Sequence, residues 1–383
     1  MQDQSIADWK AALVDSARSG HGALQELLSS RSFPVIVDGT ALFVFEGAAE
    51  QVLLHHWIFG LPSSQPFERV QGTHLWWLEA DIQRSARVEY KLEVVHHGQQ
   101  RLVRDPLNPA LAQDPFGANS VATGPEYVVP EWAEEHEDAR RGEIIEREIQ
   151  SEVFGESRPI SIYLPARFRE TRRYPLLVVH DGMDYLRFAS LQSVLDNLIH
   201  RQEIPPMIVV LTQSPDRMEE YSGSDAHARY LAEEVLPMME REYPLLEEAQ
   251  DRALMGASFG AVASLHAAWS HPGTFGKLLL QSGSFAFTDI GDHDRGPMFD
   301  PVVKFVNAFR DAPGKPVAQA FLSCGTYESL IYYNRSMLPL LQAHGVNARL
   351  VEAQDGHNWE NWRDRLREGL TWLFAGPLWM VYE

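Results

Sequence analysis

Leu254-Met-Gly-Ala-Ser-Phe-Gly-Ala-Val-Ala-Ser264 is the most informative segment of this 383-residue chain. It contains Gly-x-Ser-x-Gly centred on Ser258, after a predicted buried strand at Ala253–Met255 and before a predicted helix. This context is typical of a nucleophile elbow, a strained strand-to-helix turn that exposes a serine hydroxyl. The two glycines remove side chains that would clash at such a turn. The alternative interpretation is an ordinary tight turn.

Short apolar segments alternate with helical stretches around this motif. Strands separated by helices form a parallel sheet through right-handed crossovers. A predicted antiparallel pair, Ile144–Val153 and Arg158–Leu164, precedes them. We therefore predict an α/β class chain with an α/β-hydrolase catalytic domain over residues 144–383, built on a mostly parallel central sheet. Its other predicted strands are Leu176–Val179, Met207–Thr212, Ala253–Met255, Lys277–Gln281, Ala320–Ser323 and Arg349–Ala353.

The first 143 residues have a different pattern. Leucines and alanines at helical spacing predict one or two surface helices over residues 1–30, with Ile6 to Leu28 as their extent. Closely spaced β-rich runs over residues 31–130 predict an N-terminal all-β sandwich of the early-set type. Asp105–Pro109 and Asp114–Ser120 are rich in turn residues and predict irregular structure. The charged residues 131–143 are predicted to be a linker.

A serine nucleophile needs a base, and α/β-hydrolases order their triad as serine, acid, histidine. His357 follows the last predicted strand in the loop Gln354-Asp-Gly-His-Asn-Trp359, where that base is expected. His344 is the other late histidine, but it lies in a helix-to-strand connection. We therefore predict His357 as the base, and a surface-loop histidine is the alternative.

The acid is expected after the preceding strand. Glu328 lies there, in Ser323-Cys-Gly-Thr-Tyr-Glu-Ser-Leu330, and it is the predicted acid of the triad. Asp355 is the rival, although its position two residues before the histidine makes a side-by-side hydrogen bond awkward. A Ser–His dyad, or an acid such as Asp289 or Asp292, remains open.

An oxyanion hole needs two backbone N–H groups. The first is predicted to be that of Phe259, the residue after the nucleophile. The second comes from the loop after an earlier strand, His180-Asp-Gly-Met183, so Met183 or Gly182 is the predicted donor. Asp181 is interpreted as a residue that shapes this turn.

Charge and composition exclude several functional classes. The chain has 33 Lys and Arg against 53 Asp and Glu, a formal net charge of −20. This field repels nucleic acid and anionic membranes, so neither is a predicted partner. One cysteine, Cys324, forms neither an internal disulfide nor a cysteine-based zinc site. No nucleotide or metal motif is present, so no cofactor and no metal is predicted. Without a signal-like or bilayer-spanning apolar run, the expectation is a cytoplasmic protein.

At several positions the chain resembles a known family. It is similar to the esterase D-like branch of the α/β-hydrolases, and in particular to the enterochelin (ferric enterobactin) esterases. Gly72-Thr-x-x-Trp76 and Asp105-Pro-Leu-Asn-Pro109 extend the resemblance into the predicted sandwich. The other matching segments are His180–Gly182, Arg217–Tyr221, Leu231–Pro237, Gly256–Gly260, His271–Gly276, Gln281–Phe285 and Gly356-His357.

The resemblance implies hydrolysis of a carboxylic ester through an acyl-enzyme on Ser258, with His357 as base. It also implies a small-molecule partner, the trilactone of a catecholate siderophore, which is often iron-loaded. The run Cys324–Ile331 looks like the acid loop of feruloyl esterases, with Glu328 where they usually carry Asp. Ala286 and Phe287 depart from the family, which tends to have a Trp there.

A catecholate substrate needs aromatic faces and a cation. Arg217, Tyr221 and Phe285 are the predicted substrate-binding residues, because they follow strands at the carboxyl edge of the sheet. A surface ion pair with Glu219 or Glu220 is the alternative for Arg217. The alternative functions are a feruloyl, acetyl or other small-ester hydrolase, and a non-catalytic binding protein on a hydrolase scaffold. The oligomeric state stays open.

Overall fold

A computed structural model describes residues 4–288 and 293–375 of the chain. The chain folds into two compact units. The first unit comprises the residues up to Val128 together with two short later segments, Thr326–Ser329 and Ala353–Asn358. The second unit comprises Val129–Gly325, Leu330–Glu352 and the chain from Trp359 onward.

The first unit has two helices and two antiparallel sheets. The helices are α1 (Ile6–Ser19) and α2 (His21–Ser29), as the leucine spacing predicts. One sheet has the order β1-β2-β6-β5, and the other has the order β4-β3-β7-β10-β9, with β8 also paired to β7. The strands are β1 Val35–Val37, β2 Thr40–Glu46, β3 Gln51–His56, β4 Ser64–Pro66, β5 Glu68–Arg69, β6 Leu75–Asp81, β7 Arg87–His96, β8 Gln99–Val103, β9 Leu111–Asp114 and β10 Gly117–Thr123.

Strand β2 shows how the sequence builds this unit. Its side chains alternate between the two faces of the strand. Ala41 and Phe43 are buried in a core that includes residues of both sheets, such as Trp76 and Tyr90. Leu42 and Val44 are buried in a second core with the apolar residues of α1 and α2. The unit is therefore a sandwich with two helices covering one outer face.

Within the described residues, the second unit contains one eight-stranded sheet and nine α-helices. The strands are β11 Glu143–Ser151, β12 Glu156–Leu164, β13 Leu176–Val179, β14 Ile208–Thr212, β15 Arg252–Ala257, β16 Lys277–Gln281, β17 Gln319–Gly325 and β18 Asn347–Ala353. The helices are α3 Gly182–Phe188, α4 Leu191–His200, α5 Arg217–Glu220, α6 Asp225–Arg229, α7 Leu236–Glu242, α8 Phe259–Ser270, α9 Asp300–Asp311, α10 Ile331–Ala343 and α11 Trp359–Leu373.

The sheet order is β11-β12-β14-β13-β15-β16-β17-β18. Strands β13 to β17 pair in parallel, whereas β11 and β12 are antiparallel. Alternate residues of each central strand enter two separate cores, as Val178 does on one face and Val179 on the other. A sheet covered on both faces has strands that read as continuous apolar runs, which is why these strands were predictable. Among the described helices, none combines the length and apolar composition needed to cross a bilayer.

One sequence prediction is wrong in the sandwich. Asp114–Ser120 forms the turn and strands of a β-hairpin, in which Gly117 pairs with Asp114. The dense turn residues reflect a tight connection, where the Phe116 amide donates to the Asp114 carboxylate at 2.7 Å. Strand β8 was also missed, because all five of its residues are exposed and carry no apolar alternation.

Asp105–Pro109 is irregular, as predicted, and a buried polar cluster fixes its shape. The Tyr90 hydroxyl donates to the Asp105 carboxylate at 2.7 Å, and the Asn108 side-chain amide donates to the Tyr90 hydroxyl oxygen at 2.9 Å. The Asp105 amide donates to the Ser120 hydroxyl at 2.8 Å. Burial raises the pKa of Asp105 to about 6, although the hydrogen bond from Tyr90 opposes that shift. The folded sandwich therefore holds a proton on this carboxyl more tightly than the unfolded chain does.

This cluster predicts a pH-dependent contribution to stability. Below about pH 3 both states carry a protonated Asp105, whereas above about pH 6 the folded state must ionise a buried carboxyl. Asp105→Asn removes that titration. Relative to the variant, the wild-type free energy of unfolding should fall by about 3 kcal/mol as the pH rises from about 3 to about 7. Urea denaturation of both proteins measures this difference, and a constant difference across that range would contradict the prediction.

Candidate active site

Ser258 lies at a strained turn between β15 and α8. Its φ of 57° and ψ of −118° fall in a region that residues other than glycine rarely occupy. Its amide donates to the Gln281 carbonyl at 2.9 Å, and helix α8 begins at the next residue, Phe259. The geometry is that of the nucleophile elbow indicated by the sequence.

The glycines of the motif are needed because two backbone segments approach closely. A Cβ on Gly256 would lie 2.4 Å from the carbonyl carbon and oxygen of Gly260. A Cβ on Gly260 would lie 3.1 Å from the Cβ of His180. Backbone atoms cannot move aside as the end of a flexible side chain can, so the turn admits only glycine at position 256.

A second hydroxyl lies beside the Ser258 side chain. The Ser284 Oγ is 3.1 Å from the Ser258 Oγ, and the Ser284 amide donates to the Ser258 carbonyl at 3.2 Å. Asn334 holds the loop 282–285 in place, because it accepts from the Gly283 amide at 3.0 Å and donates to its carbonyl at 2.9 Å. In the sequence, Ser282–Phe285 was noted only as part of the family resemblance. The contact of Ser284 with Ser258 was not predicted.

His357 and Glu328 form a close pair in the first unit. The Nδ1 of His357 is 2.7 Å from Oε2 of Glu328. The Glu328 side chain is 1% exposed and that of His357 is 39% exposed. Nδ1–H donating to the carboxylate leaves Nε2 as the acceptor atom of the imidazole. This is the orientation that a histidine base requires.

Asp355, the rival acid, has other partners. Its Oδ1 accepts from the Gly356 amide at 2.7 Å and from the Asn358 side-chain amide at 2.8 Å. The Arg87 guanidinium lies 3.4 Å from the same oxygen. Burial raises the pKa of Asp355 to about 6, with Arg87 opposing the shift. The other candidates, Asp289 and Asp292, lie outside the described residues.

The loop after β13 contains the residues predicted as the second oxyanion donor. Asp181 precedes α3 with a φ of 53°. A Cβ on Gly182 would lie 2.5 Å from the Cβ of Leu211, so this glycine is required for packing against β14. Gly182 and Met183 occupy the first turn of α3, where amides have no partner within the helix. Their N–H groups therefore have no helical hydrogen bond to break.

Arg217 ties this loop to the elbow. Its Nε donates to the Asp181 carboxylate at 2.8 Å, and its Nη2 donates to the Ala257 carbonyl at 3.1 Å. The predicted alternative, an ion pair with Glu219 or Glu220, is not the contact that Arg217 makes. Burial raises the pKa of Asp181, whereas the Arg217 charge opposes the shift. The Arg217 side chain is still 32% exposed.

Tyr221 and Phe285, predicted as stacking faces, are both fully buried. The Tyr221 hydroxyl accepts from the Asp181 amide at 3.4 Å, and its ring packs edge-on against His180. Phe285 belongs to the main core of the second unit. Neither ring offers a face to a substrate, so both act in packing. The prediction rested on their place after strands in the sequence, which does not show whether a side chain is buried.

A buried polar chain that the sequence did not reveal lies in the second unit. Arg158 donates to Glu220 at 2.7 Å, and Glu220 lies 3.6 Å from His227. His227 in turn lies 3.0 Å from His180, the residue before the Asp181 turn. Burial lowers the pKa of both histidines, which indicates a neutral, hydrogen-bonded pair. Over residues 4–288 and 293–375, no cluster of three or more His, Cys, Asp or Glu side chains is arranged to hold a metal ion.

The close backbone approach predicts the result of one substitution. Gly256→Ala should lower the free energy of unfolding by about 1–3 kcal/mol or more, because its methyl group would overlap the Gly260 peptide. Gly22→Ala is the matched control, since a Cβ there meets nothing within 4 Å. Thermal unfolding measures both variants. Equal stability of the two would show that the elbow tolerates a side chain at position 256.

Comparison with known proteins identifies a family for this chain. Residues 151–373, more than half of the chain, match the model of the esterase family described as "Putative esterase". The chain is 25% identical to the Iron(III) enterobactin esterase of Escherichia coli strain K12 over 343 residues, which cover 82% of this chain and 83% of that protein. It is 29% identical to the protein YjcH of Bacillus subtilis over 150 residues, which cover 37% of this chain and 62% of YjcH, less than two thirds of its length.

A solved structure shows the fold. The crystal structure of ferric enterobactin esterase from Salmonella typhimurium superposes with a TM-score of 0.74 at 19% identity, covering 91% of this chain and 98% of that one. The likeness extends over both the N-terminal β-rich part and the α/β-hydrolase part. The family match over residues 151–373 and this structural likeness together show that the chain belongs to that esterase family and has an α/β-hydrolase fold.

Proposed function

We propose that this chain hydrolyses carboxylic esters through an acyl-enzyme formed on Ser258. The strained elbow carries the proposal, because a serine held at positive φ between a strand and a helix costs stability that a structural turn does not require. Membership of an esterase family supports the same reaction class.

His357 is proposed as the general base and Glu328 as the acid that orients it. The 2.7 Å contact of Glu328 with Nδ1 supports these roles, since it favours the tautomer in which Nε2 carries the acceptor lone pair. The chain order of Ser258, Glu328 and His357 is also the order found in α/β-hydrolases. Glu328 and His357 follow the ends of β17 and β18, two strands of the sheet that contains β15.

The proposed reaction has two halves. Ser258 Oγ attacks the ester carbonyl carbon while His357 Nε2 takes the hydroxyl proton, and that proton then passes to the departing alcohol. In the second half, water attacks the acyl carbon while His357 Nε2 takes one of its protons. The bond to Ser258 Oγ then breaks, the proton passes from His357 to that oxygen, and the carboxylic acid leaves. The amide of Phe259 and that of Met183 or Gly182 are proposed to donate to the oxyanion formed in each half.

The proposed substrate is the trilactone ester of a catecholate siderophore, free or iron-loaded. The proposed location of the reaction is the cytoplasm. The Escherichia coli relative described above is named for such a substrate, and it aligns over most of both chains. Arg217, with a third of its side chain exposed, is proposed as the cation that attracts the anionic substrate. The second candidate is a feruloyl, acetyl or other small ester, which the −20 net charge favours because a neutral substrate is not repelled.

The identity of the acid is tested by two matched substitutions. Glu328→Gln should lower kcat by about 10²–10⁴-fold, because the amide no longer stabilises the imidazolium that forms on His357. Asp355→Asn should have a smaller effect on kcat, since its contacts are with the loop backbone, Asn358 and Arg87. Steady-state hydrolysis of p-nitrophenyl acetate measures both. A crippled Asp355→Asn beside a mildly affected Glu328→Gln would assign the acid to Asp355.

The reaction and its substrate are tested with a panel of esters. Wild type should release p-nitrophenol from p-nitrophenyl acetate, and Ser258→Ala should lose several orders of magnitude in kcat without losing its fold. Mass spectrometry should detect the opened trilactone with wild type alone. Good turnover of neutral esters such as methyl ferulate, without trilactone hydrolysis, would favour the small-ester candidate. No turnover of any ester, with a serine-reactive phosphonate failing to label Ser258, would favour a non-catalytic binding protein.

Arg217→Ala separates charge recognition from support of the elbow. If Arg217 attracts the anionic substrate, the variant raises KM for the trilactone and leaves KM for p-nitrophenyl acetate nearly unchanged. Because Arg217 also holds Asp181 and the Ala257 carbonyl, equal losses on both substrates would assign it a structural role instead.

A further inference from the structure

The segments that carry Glu328 and His357 fold with the sandwich. Thr326–Ser329 and Ala353–Asn358 belong to the first compact unit. The ring of Tyr327 packs against the core that the two sheets share, and its carbonyl accepts from the Phe59 amide at 2.8 Å. The Tyr327 amide donates to the Asp355 carbonyl at 3.2 Å, which joins the two segments. The sandwich is therefore structurally continuous with the loops of the proposed acid and base.

The start of strand β7 makes the main contact with the His357 loop. The Arg87 amide donates to the Gln354 carbonyl at 2.9 Å. The Ser85 hydroxyl donates to the Gln354 side-chain oxygen at 2.7 Å. The backbone and the side chain of Gln354 are thus both hydrogen-bonded to the segment that contains Ser85 and Arg87.

The Arg87 side chain reaches further along the same loop. It is only 4% exposed, and its Nη1 lies 3.4 Å from the Asp355 carboxylate and 3.1 Å from the Asn358 side-chain oxygen. The same nitrogen donates to the Glu89 carboxylate at 3.0 Å, and Glu89 also accepts from the Asn119 side-chain amide at 2.7 Å. The guanidinium is thereby fixed from the side of the sandwich while it contacts the loop.

The two loop acceptors flank His357 in the sequence. Asp355 lies two residues before it and Asn358 directly after it. Asp355 also accepts from the Gly356 amide and the Asn358 side chain, so one carboxylate closes the loop on itself. A buried carboxylate without its cation would be costly, and the loop would be free to adopt other conformations.

We propose that Arg87 is a positioning residue for catalysis, which holds the loop 354–358 so that His357 stays in its productive orientation. This inference rests on the proposed function of His357 as the base. It gives the N-terminal sandwich a role in the chemistry that needs no contact with the substrate. An arginine suits the task because its guanidinium keeps its charge when buried, whereas a buried lysine readily loses its proton.

The test compares two methionine substitutions. Arg87→Met removes the guanidinium and keeps an apolar chain about as long as the arginine's aliphatic stem. It should lower kcat for p-nitrophenyl acetate by about 10–100-fold with KM nearly unchanged, because a small misplacement of a catalytic group greatly slows the reaction. Arg84→Met is the matched control, since Arg84 is an exposed sandwich arginine paired with Glu126, and its kcat should not change. Arg87→Lys should fall between wild type and Arg87→Met.

A double-mutant cycle separates positioning from a general loss of structure. In a His357→Asn background, Arg87→Met should lower kcat no further, because the residue acts through the histidine. Additive losses, or an unchanged kcat in Arg87→Met, would overturn the inference. If Arg87→Met does not fold, Arg87→Lys in both backgrounds gives the same test. His357→Asn that retains full activity would instead overturn the proposed function, so the two failures are distinguishable.

Discussion

The close approach of the Gly256 and Gly260 backbones is the constraint on which the second unit's functional geometry depends. It leaves no room for a side chain at position 256, and it forces Ser258 into a conformation with positive φ. Three further elements meet this turn: the Gln281 carbonyl accepts the Ser258 amide, Arg217 donates to the Ala257 carbonyl, and His180 packs against Gly260. The strain is tolerated because neighbouring elements on several sides determine the same geometry.

The fold was predictable where burial requires a regular pattern of apolar residues in the sequence. The central strands of the second unit are buried on both faces, and their apolar runs gave nearly correct positions. The strands of the sandwich were harder to predict. Strand β8 is exposed along its whole length, and the hairpin at Asp114–Ser120 is dominated by residues that also favour irregular turns. In both places tertiary pairing, which local pattern does not record, creates the strand.

The residues of the proposed site also differ in how well the sequence predicted them. Ser258, Glu328 and His357 were predicted from their positions after strands, and chain order alone was enough to propose them. Tyr221 and Phe285 were misjudged because position at a sheet edge says nothing about burial. The contacts of Arg217 with Asp181 and of Arg87 with Asp355 join residues 36 and 268 positions apart. A single sequence does not encode such pairings in any local signal.

The first unit is assembled from three separate pieces of chain, and this has a consequence for how the protein can evolve. Its two later pieces are only a few residues long, yet they carry both proposed partners of the serine. No single crossover between related genes transfers the whole unit. An exchange of the first 128 residues would combine β7 of one parent with the loop 354–358 of the other. The hybrid would work only if residue 87 of the first parent is compatible with residues 355 and 358 of the second. Sequence changes in the sandwich and in the two loops are therefore expected to occur together, although these segments lie far apart in the gene.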